Sequence, residues 1–144
     1  YHVSGETDAF GELARWFDMG ADLLADVIAV NPGASPVRCR PQRFDMTTVI
    51  AIDTDGRENA RAIRVGLSPG DDHYAQPYVY VNPTPRLKPA DLPLIAAPGQ
   101  WHLKDFVAAV ATGEDILLHP EPAATLAAFV DTAIGIGRER LGAL

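Results

Sequence analysis

Apolar residues recur at three- and four-residue spacing through the opening stretch TDAFGELARWFDMGADLLADVIAV, placing Phe10, Leu13, Phe17, Leu24 and Val27 on one side of a helix. Thr7 is positioned to cap that helix, with Asp8 and Glu12 in its first turns, where the helix dipole favours negative charge. Asn-Pro-Gly-Ala-Ser-Pro, from Asn31 to Pro36, ends the run, because proline and glycine do not extend a helix. A second helical pattern closes the chain. It starts at the prolines of PEPAATLAAFVDTAIGIGRERLGAL, sets Leu126, Phe129, Val130, Ala133 and Leu141 on one face, and carries Arg138 and Arg140 near its end. Gly135 and Gly137 either weaken this helix or admit a close neighbour.

Between the helices the period changes to two. FDMTTVIAID and ARAIRVGL are rich in β-branched residues and flank TDGREN, whose Asp55-Gly56 pair signals a turn, so they form an antiparallel hairpin. Ile63, Val65 and Leu67 share one face of its second strand and Ala62, Arg64 and Gly66 the other. A hairpin turning at residues 56 and 57 sets Asp45 across from Ser68. A third strand, YVYVN, separates Val79 and Val81 from Tyr78 and Tyr80. The prolines of NPTPRLKPADLPLIAAPG oppose a regular ladder, giving an extended crossing segment packed through Leu87, Leu92 and Ile95. Phe106, Val107 and Val110 would suit a helix, but FVAAVATG followed by DILL would also suit a fourth strand, and the strand is the reading preferred. The expected fold is α+β: an N-terminal helix, an antiparallel sheet of three to four strands and a C-terminal helix, with the helices on one sheet face.

The length of 144 residues, 47% hydrophobic and 22% charged, suits one domain spanning the chain. Tyr1 in place of methionine suggests a processed, trimmed or partial chain, and the C-terminal part of a longer protein is a separate alternative. A net charge of −7 and the scatter of the basic residues argue against nucleic-acid and membrane partners, both of which need a concentrated basic face. Arg38, Arg40 and Arg43 make the one local basic cluster. A single cysteine, Cys39, excludes an internal disulfide and fits a cytoplasmic location; it is expected to be structural and at least half-buried.

Candidate chemistry gathers between the strands. The segment GLSPGDDHYAQPYVYVNPTP brings acids, a histidine and tyrosines together, and the hairpin register sets Asp45 beside it. Asp45, Asp71, Asp72, His73 and His102 carry the donor types that bind divalent cations, but no paired-histidine or paired-cysteine spacing fixes a geometry, so no cofactor is predicted and a divalent metal stays the weaker alternative. His102 is the candidate proton carrier beside the Trp101 wall. Ser68 lacks the glycine spacing of a nucleophile elbow, and no phosphate-binding loop is present. Arg43, His73, Tyr74, Tyr78, Tyr80 and Trp101 are the binding candidates, because rigid aromatic side chains with a polar tip suit an interface or a flat ligand.

PVRCRPQRFDMTTVI, then VGLSPGDDHYAQPYVYVNPTP, then GQWH, resembles a family of uncharacterised bacterial proteins in which a histidine pair precedes Phe-Asp and a Ser-Pro-Gly-Asp loop precedes a Pro-Tyr strand. The order of strand, acidic turn and final helix is also distantly similar to the C-terminal half of the domain of unknown function 5996 family. The resemblance implies the architecture and points to Phe44, Asp45, Ser68, Pro69, Gly70, Asp71, Tyr78, Trp101 and His102; it implies no activity. Gln42 and Arg43 stand where the family pattern has histidines. The leading expectation is a binding or interaction module, with a protein or small-molecule partner or as a homo-oligomer. One alternative is a small metal-assisted or acid-base enzyme of hydrolase type centred on Asp45, Asp71 and His102. Another is a structural subdomain of a larger fold.

Overall fold

The computed structural model describes residues 3–41, 44–56 and 58–142. Its elements run α1 (Val3–Val30), β1 (Arg38–Arg40), β2 (Asp45–Ala51), β3 (Ala62–Ser68), β4 (Tyr78–Thr84), a single 3-10 turn (Pro89–Asp91), β5 (Gln100–His102), β6 (Ala108–Thr112), α2 (Gly113–Leu117) and α3 (Pro122–Gly142). The fold is α+β, with a six-stranded antiparallel sheet in the order β1-β2-β3-β4-β6-β5.

Six strands replace the three to four expected from periodicity. The additional ones, β1 and β5, are three-residue edge strands. Three residues are too few to display an alternation, so only the ladder to a neighbour defines them. The strand reading of FVAAVATG holds over β6, whereas Asp115, Ile116 and Leu117 of DILL belong to the short helix α2 and Leu118 is its C-cap. Thr112 ends the strand and caps that helix, accepting the Asp115 backbone N–H on its hydroxyl. Glu114 and Asp115 in the first turn favour the same start.

The core lies between the helices and one sheet face. Ile63, Val65 and Leu67 of β3, Val79 and Val81 of β4 and Ala109 and Ala111 of β6 meet Trp16, Leu23, Leu24 and Val27 of α1 and Leu126, Phe129, Val130, Ala133 and Leu141 of α3. Trp16 and Leu24 are the most deeply buried residues of α1 among those described, while Phe17 is only partly buried against the cluster. Thr7 lies inside α1, not at its cap. Gly20 explains how closely α1 approaches: a Cβ there would fall 2.2 Å from a Leu67 methyl. On α3 a Cβ at Gly137 would meet Ile63 at 3.0 Å, so this glycine admits a close neighbour.

The hairpin register matches the sequence expectation. Met46 pairs with Leu67 and Ala51 with Ala62, which carries Asp45 across from Ser68. The loop is closed by Asp53, which accepts the Arg61 backbone N–H at 2.8 Å and its guanidinium at 2.9 Å. β4 continues past YVYVN through Pro83, which pairs with Ile63. β6 flanks β4 only from Tyr78 to Val81, so Pro83 lies where that side has no ladder and the missing donor leaves no acceptor unpaired there. Leu87 is buried, and Leu92 and Ile95 pack against the core from the crossing segment. Cys39 is exposed on the edge strand β1, contrary to the buried structural role expected of it. No helix among the described residues is long and apolar enough to cross a membrane.

Candidate functional site

The sheet face turned away from the helices carries Tyr78, Tyr80, Ala108 and Val110, with Tyr74 and Phe106 packed over them. All four are buried, so this face is no open apolar patch. Beside them a cleft of about 280 Å³ is lined by Arg40, Asp45, Arg64, Ser68, Asp71, His73, Tyr78, Tyr80, Asn82, Asp105 and Phe106.

Strand alternation builds its floor. Arg64, Gly66 and Ser68 share the outer face of β3, and register sets Asn82, Tyr80 and Tyr78 of β4 beside them in turn. A Cβ on Gly66 would fall 2.2 Å from the Tyr80 ring carbon Cζ, so the ring crosses the strand where no side chain stands. That crossing lets the Tyr80 hydroxyl donate to Asp45 Oδ2 at 2.7 Å, one strand further on. Arg40 reaches the same carboxylate from β1. Its Nε donates to Oδ1 at 2.9 Å, its Nη2 donates to Oδ2, and Nη2 also lies 3.1 Å from the Tyr80 oxygen. Asp45 is 2% exposed, and burial alone would raise its pKa; the bonds from Arg40 and Tyr80 outweigh burial and hold it below the usual carboxylate range. Burial and the bond to Asp45 together push Tyr80 above the usual phenol range.

Two residues along β4 the arrangement recurs. Tyr78 donates to Asp71 Oδ2 at 2.5 Å, and Asp71 Oδ1 accepts the backbone N–H of His73 at 2.9 Å and of Tyr74 at 3.3 Å. Asp71 thus caps the backbone amides of its own turn. Burial opposes ionisation of Asp71, but the Tyr78 hydroxyl and the two amides lower its pKa. His73 bridges two loops, with Nε2 3.0 Å from Asp105 Oδ2 and Nδ1 3.6 Å from Asp71 Oδ1. The His73 bond holds Asp105 below the usual carboxylate range.

His102 faces this side of the sheet but is spent internally. Its Nε2 lies 2.6 Å from the Lys104 carbonyl, which can only accept, so that nitrogen carries the hydrogen and Nδ1 accepts from the Tyr74 hydroxyl at 2.9 Å. The ring stacks on Phe106 with centroids 4.1 Å apart and does not line the cleft. Trp101, next to it in β5, points to the opposite face, packs against the main core and donates to the Pro93 carbonyl at 2.8 Å. Asp45, Asp71, His73, Tyr78 and Tyr80 thus meet in one cleft, Tyr74 and His102 support it from behind, and Trp101 is elsewhere. Asp72 is exposed. Arg43 lies outside the described residues. Among the described residues no group of three or more His, Cys, Asp or Glu side chains is placed to hold a metal ion.

Arg40, Arg64, Asn82, Asp105 and Phe106 complete the site. Arg64 has a sequence signal: it is the one charge in the apolar alternation of β3. Its Nε is buried with no partner, and no hydrogen bond or ion pair engages its guanidinium among the described residues. Asn82 is satisfied when its amide nitrogen donates to the Pro83 carbonyl at 3.3 Å and the Val107 carbonyl at 3.1 Å.

No family model, curated protein or solved structure matches the chain. The chemistry of the site rests on its own geometry.

Proposed function

We propose that the protein is a binding module whose ligand is a small polar molecule seated in the cleft on the outer sheet face. The observation that carries this reading is the contrast within the cleft. Asp45 and Asp71 are held by fixed donors, whereas Arg64 makes no hydrogen bond or ion pair among the described residues. A guanidinium that lines the cleft without a hydrogen bond or ion pair offers donors to a bound acceptor.

Burial favours a small ligand over a protein partner. Tyr78 and Tyr80 are 3% and 7% exposed, so their rings are floor and wall, not a docking surface. The acid-base alternative draws no support from His102, both of whose nitrogens are engaged away from the cleft.

The test is a fragment titration of the isotopically labelled chain followed by NMR. Saturable shifts clustered on Gly66, Ser68, Tyr80 and Phe106 are expected for polar fragments. Shifts confined to other surfaces, or absent, would reject the cleft as a ligand site.

A further inference from the structure

Resting on the reading of the cleft as a ligand site, we propose that His73 is a proton-operated clasp in its wall. With both ring nitrogens protonated, His73 ties the β3–β4 loop to the β5–β6 loop, and ligand binding is strongest in that state. The wall consists of Asp71 and His73 from the first loop and Asp105 and Phe106 from the second. These loops leave the sheet at opposite ends. Tyr78 pairs with Ser68 and with Thr112 at one end, whereas His102 pairs with Ala108, at the other end of β6. About 13 Å of strand separates the two rows, so the β3–β4 loop folds back along the outer face for His73 to meet Asp105.

At the meeting point the imidazole stands between two carboxylates. Its Nε2 is 3.0 Å from Asp105 Oδ2 and its Nδ1 is 3.6 Å from Asp71 Oδ1. Only the doubly protonated ring suits both. A neutral ring that donates through Nε2 keeps the Asp105 bond but turns a bare Nδ1 lone pair towards Asp71, and the other tautomer loses the Asp105 bond. Histidine is the side chain that changes charge near neutral pH, and His73 is 23% exposed, open to solvent protons. Both carboxyls stay ionised there. The His73 bond holds Asp105 below the usual carboxylate range, and the Tyr78 hydroxyl and the turn amides do the same for Asp71 against its burial.

The other charged and titratable groups around the clasp have their own partners or lie outside the cleft. His102 meets the His73 ring edge-on, with centroids 5.0 Å apart, but its nitrogens are engaged by Tyr74 and the Lys104 carbonyl. Lys104 adds positive charge near Asp105, and Arg86 donates to the Asp105 carbonyl; neither lines the cleft. Across the cleft Arg40 is committed to Asp45, while Arg64 makes no bond among the described residues. With His73 neutral, the three aspartates lining the cleft outnumber its two arginines, and a proton on His73 evens the count. An acceptor bound at Arg64 therefore meets less repulsion when His73 is charged, and it meets a wall that is held together. The two effects have the same sign.

The experiment follows the full chain by NMR from about pH 5 to about pH 8, alone and with formate as the acceptor probe, at constant ionic strength. In the free chain, millisecond exchange at the backbone amides of Asp71, Tyr74, Asp105 and Phe106 is expected to rise as His73 loses its proton, with one midpoint for ring and amides. Formate is expected to bind about fivefold tighter at the acid end and, by linkage, to raise the midpoint of the His73 titration. His73→Gln keeps a polar side chain but does not titrate, and it should abolish both pH dependences. Loop amides indifferent to the His73 titration, a loop pH dependence that persists in a folded His73→Gln protein, or formate binding that ignores pH would overturn the clasp. If that variant does not fold, the shared midpoint in the unaltered chain decides alone. No formate binding at any pH, with the loop titration intact, would count against the cleft as an acceptor site and leave the clasp between the loops standing.

Discussion

The hydroxyl of Tyr80 reaches Asp45 across an intervening strand because Gly66 leaves the space its ring occupies. Gly66→Ala is therefore expected to destabilise the protein by about 1–3 kcal/mol, since the added methyl forces the ring aside. Urea denaturation measures the loss. A cost no larger than that of an ordinary strand glycine would mean that the ring shifts freely.

Removing single partners of Asp45 should produce a graded series. Tyr80→Phe leaves both Arg40 bonds in place and is expected to cost about 1.5–3 kcal/mol, the range for a hydrogen bond to a charged group. Arg40→Met leaves a buried carboxylate without its cation and should cost more, about 3–5 kcal/mol. The reverse order in denaturant midpoints would show that Tyr80, not Arg40, carries the ionised form.

Stability should fall on acidification. Asp45 and Asp71 titrate lower in the folded protein than in the unfolded chain, so the unfolded chain takes up protons first. Their contribution is present above the unfolded value of about 4 and is lost as pH drops through the folded values. Tyr80 acts at the other limit. Its folded pKa is raised, so its contribution is complete below the unfolded phenol value of about 10 and declines as pH rises beyond it. Thermal unfolding across pH checks both, and Asp45→Asn should flatten the acid limb.

Phe44 is expected to be replaceable with gain. Its φ of +55° is unfavourable for a bulky side chain, and it is 72% exposed, so its ring contributes little packing. Phe44→Gly should raise stability by about 0.5 kcal/mol once the greater freedom of unfolded glycine is set against the relieved strain. A lower melting temperature would show that the ring makes a needed contact.

Trp101→Phe separates the two faces of the sheet. It removes the bond to the Pro93 carbonyl and should lower stability by about 1 kcal/mol. Fragment-induced shifts in the cleft should not change, because Trp101 packs on the helix side. Altered cleft shifts would show coupling through β5.

Where a strand was long enough to alternate, the sequence assigned its faces correctly. Ile63, Val65, Leu67, Val79 and Val81 are all in the core, and Tyr78 and Tyr80 are together on the other face. The candidate site was legible in part: Asp45, Asp71, His73, Tyr78 and Tyr80 converge, whereas Trp101 and His102 diverge. Neighbouring residues of one strand must point apart, but β5 is three residues long, and its pairing of Trp101 with Ala109 and His102 with Ala108 is what assigns the sides. Cys39 was misread for the same reason, as β1 is an edge strand without a period of its own.

By itself the sequence determined the two long helices, the central hairpin and its register, because those follow from hydrophobic period and turn position, both local properties of the chain. The tertiary structure decided which charges meet. Arg40 reaches Asp45 through the β1–β2 pairing, Tyr80 reaches it over Gly66, and His73 finds Asp105 across two loops. Each of the last two joins residues more than 30 positions apart, whose meeting depends on strand order and, for Tyr80, on the space left at Gly66. No local pattern encodes either.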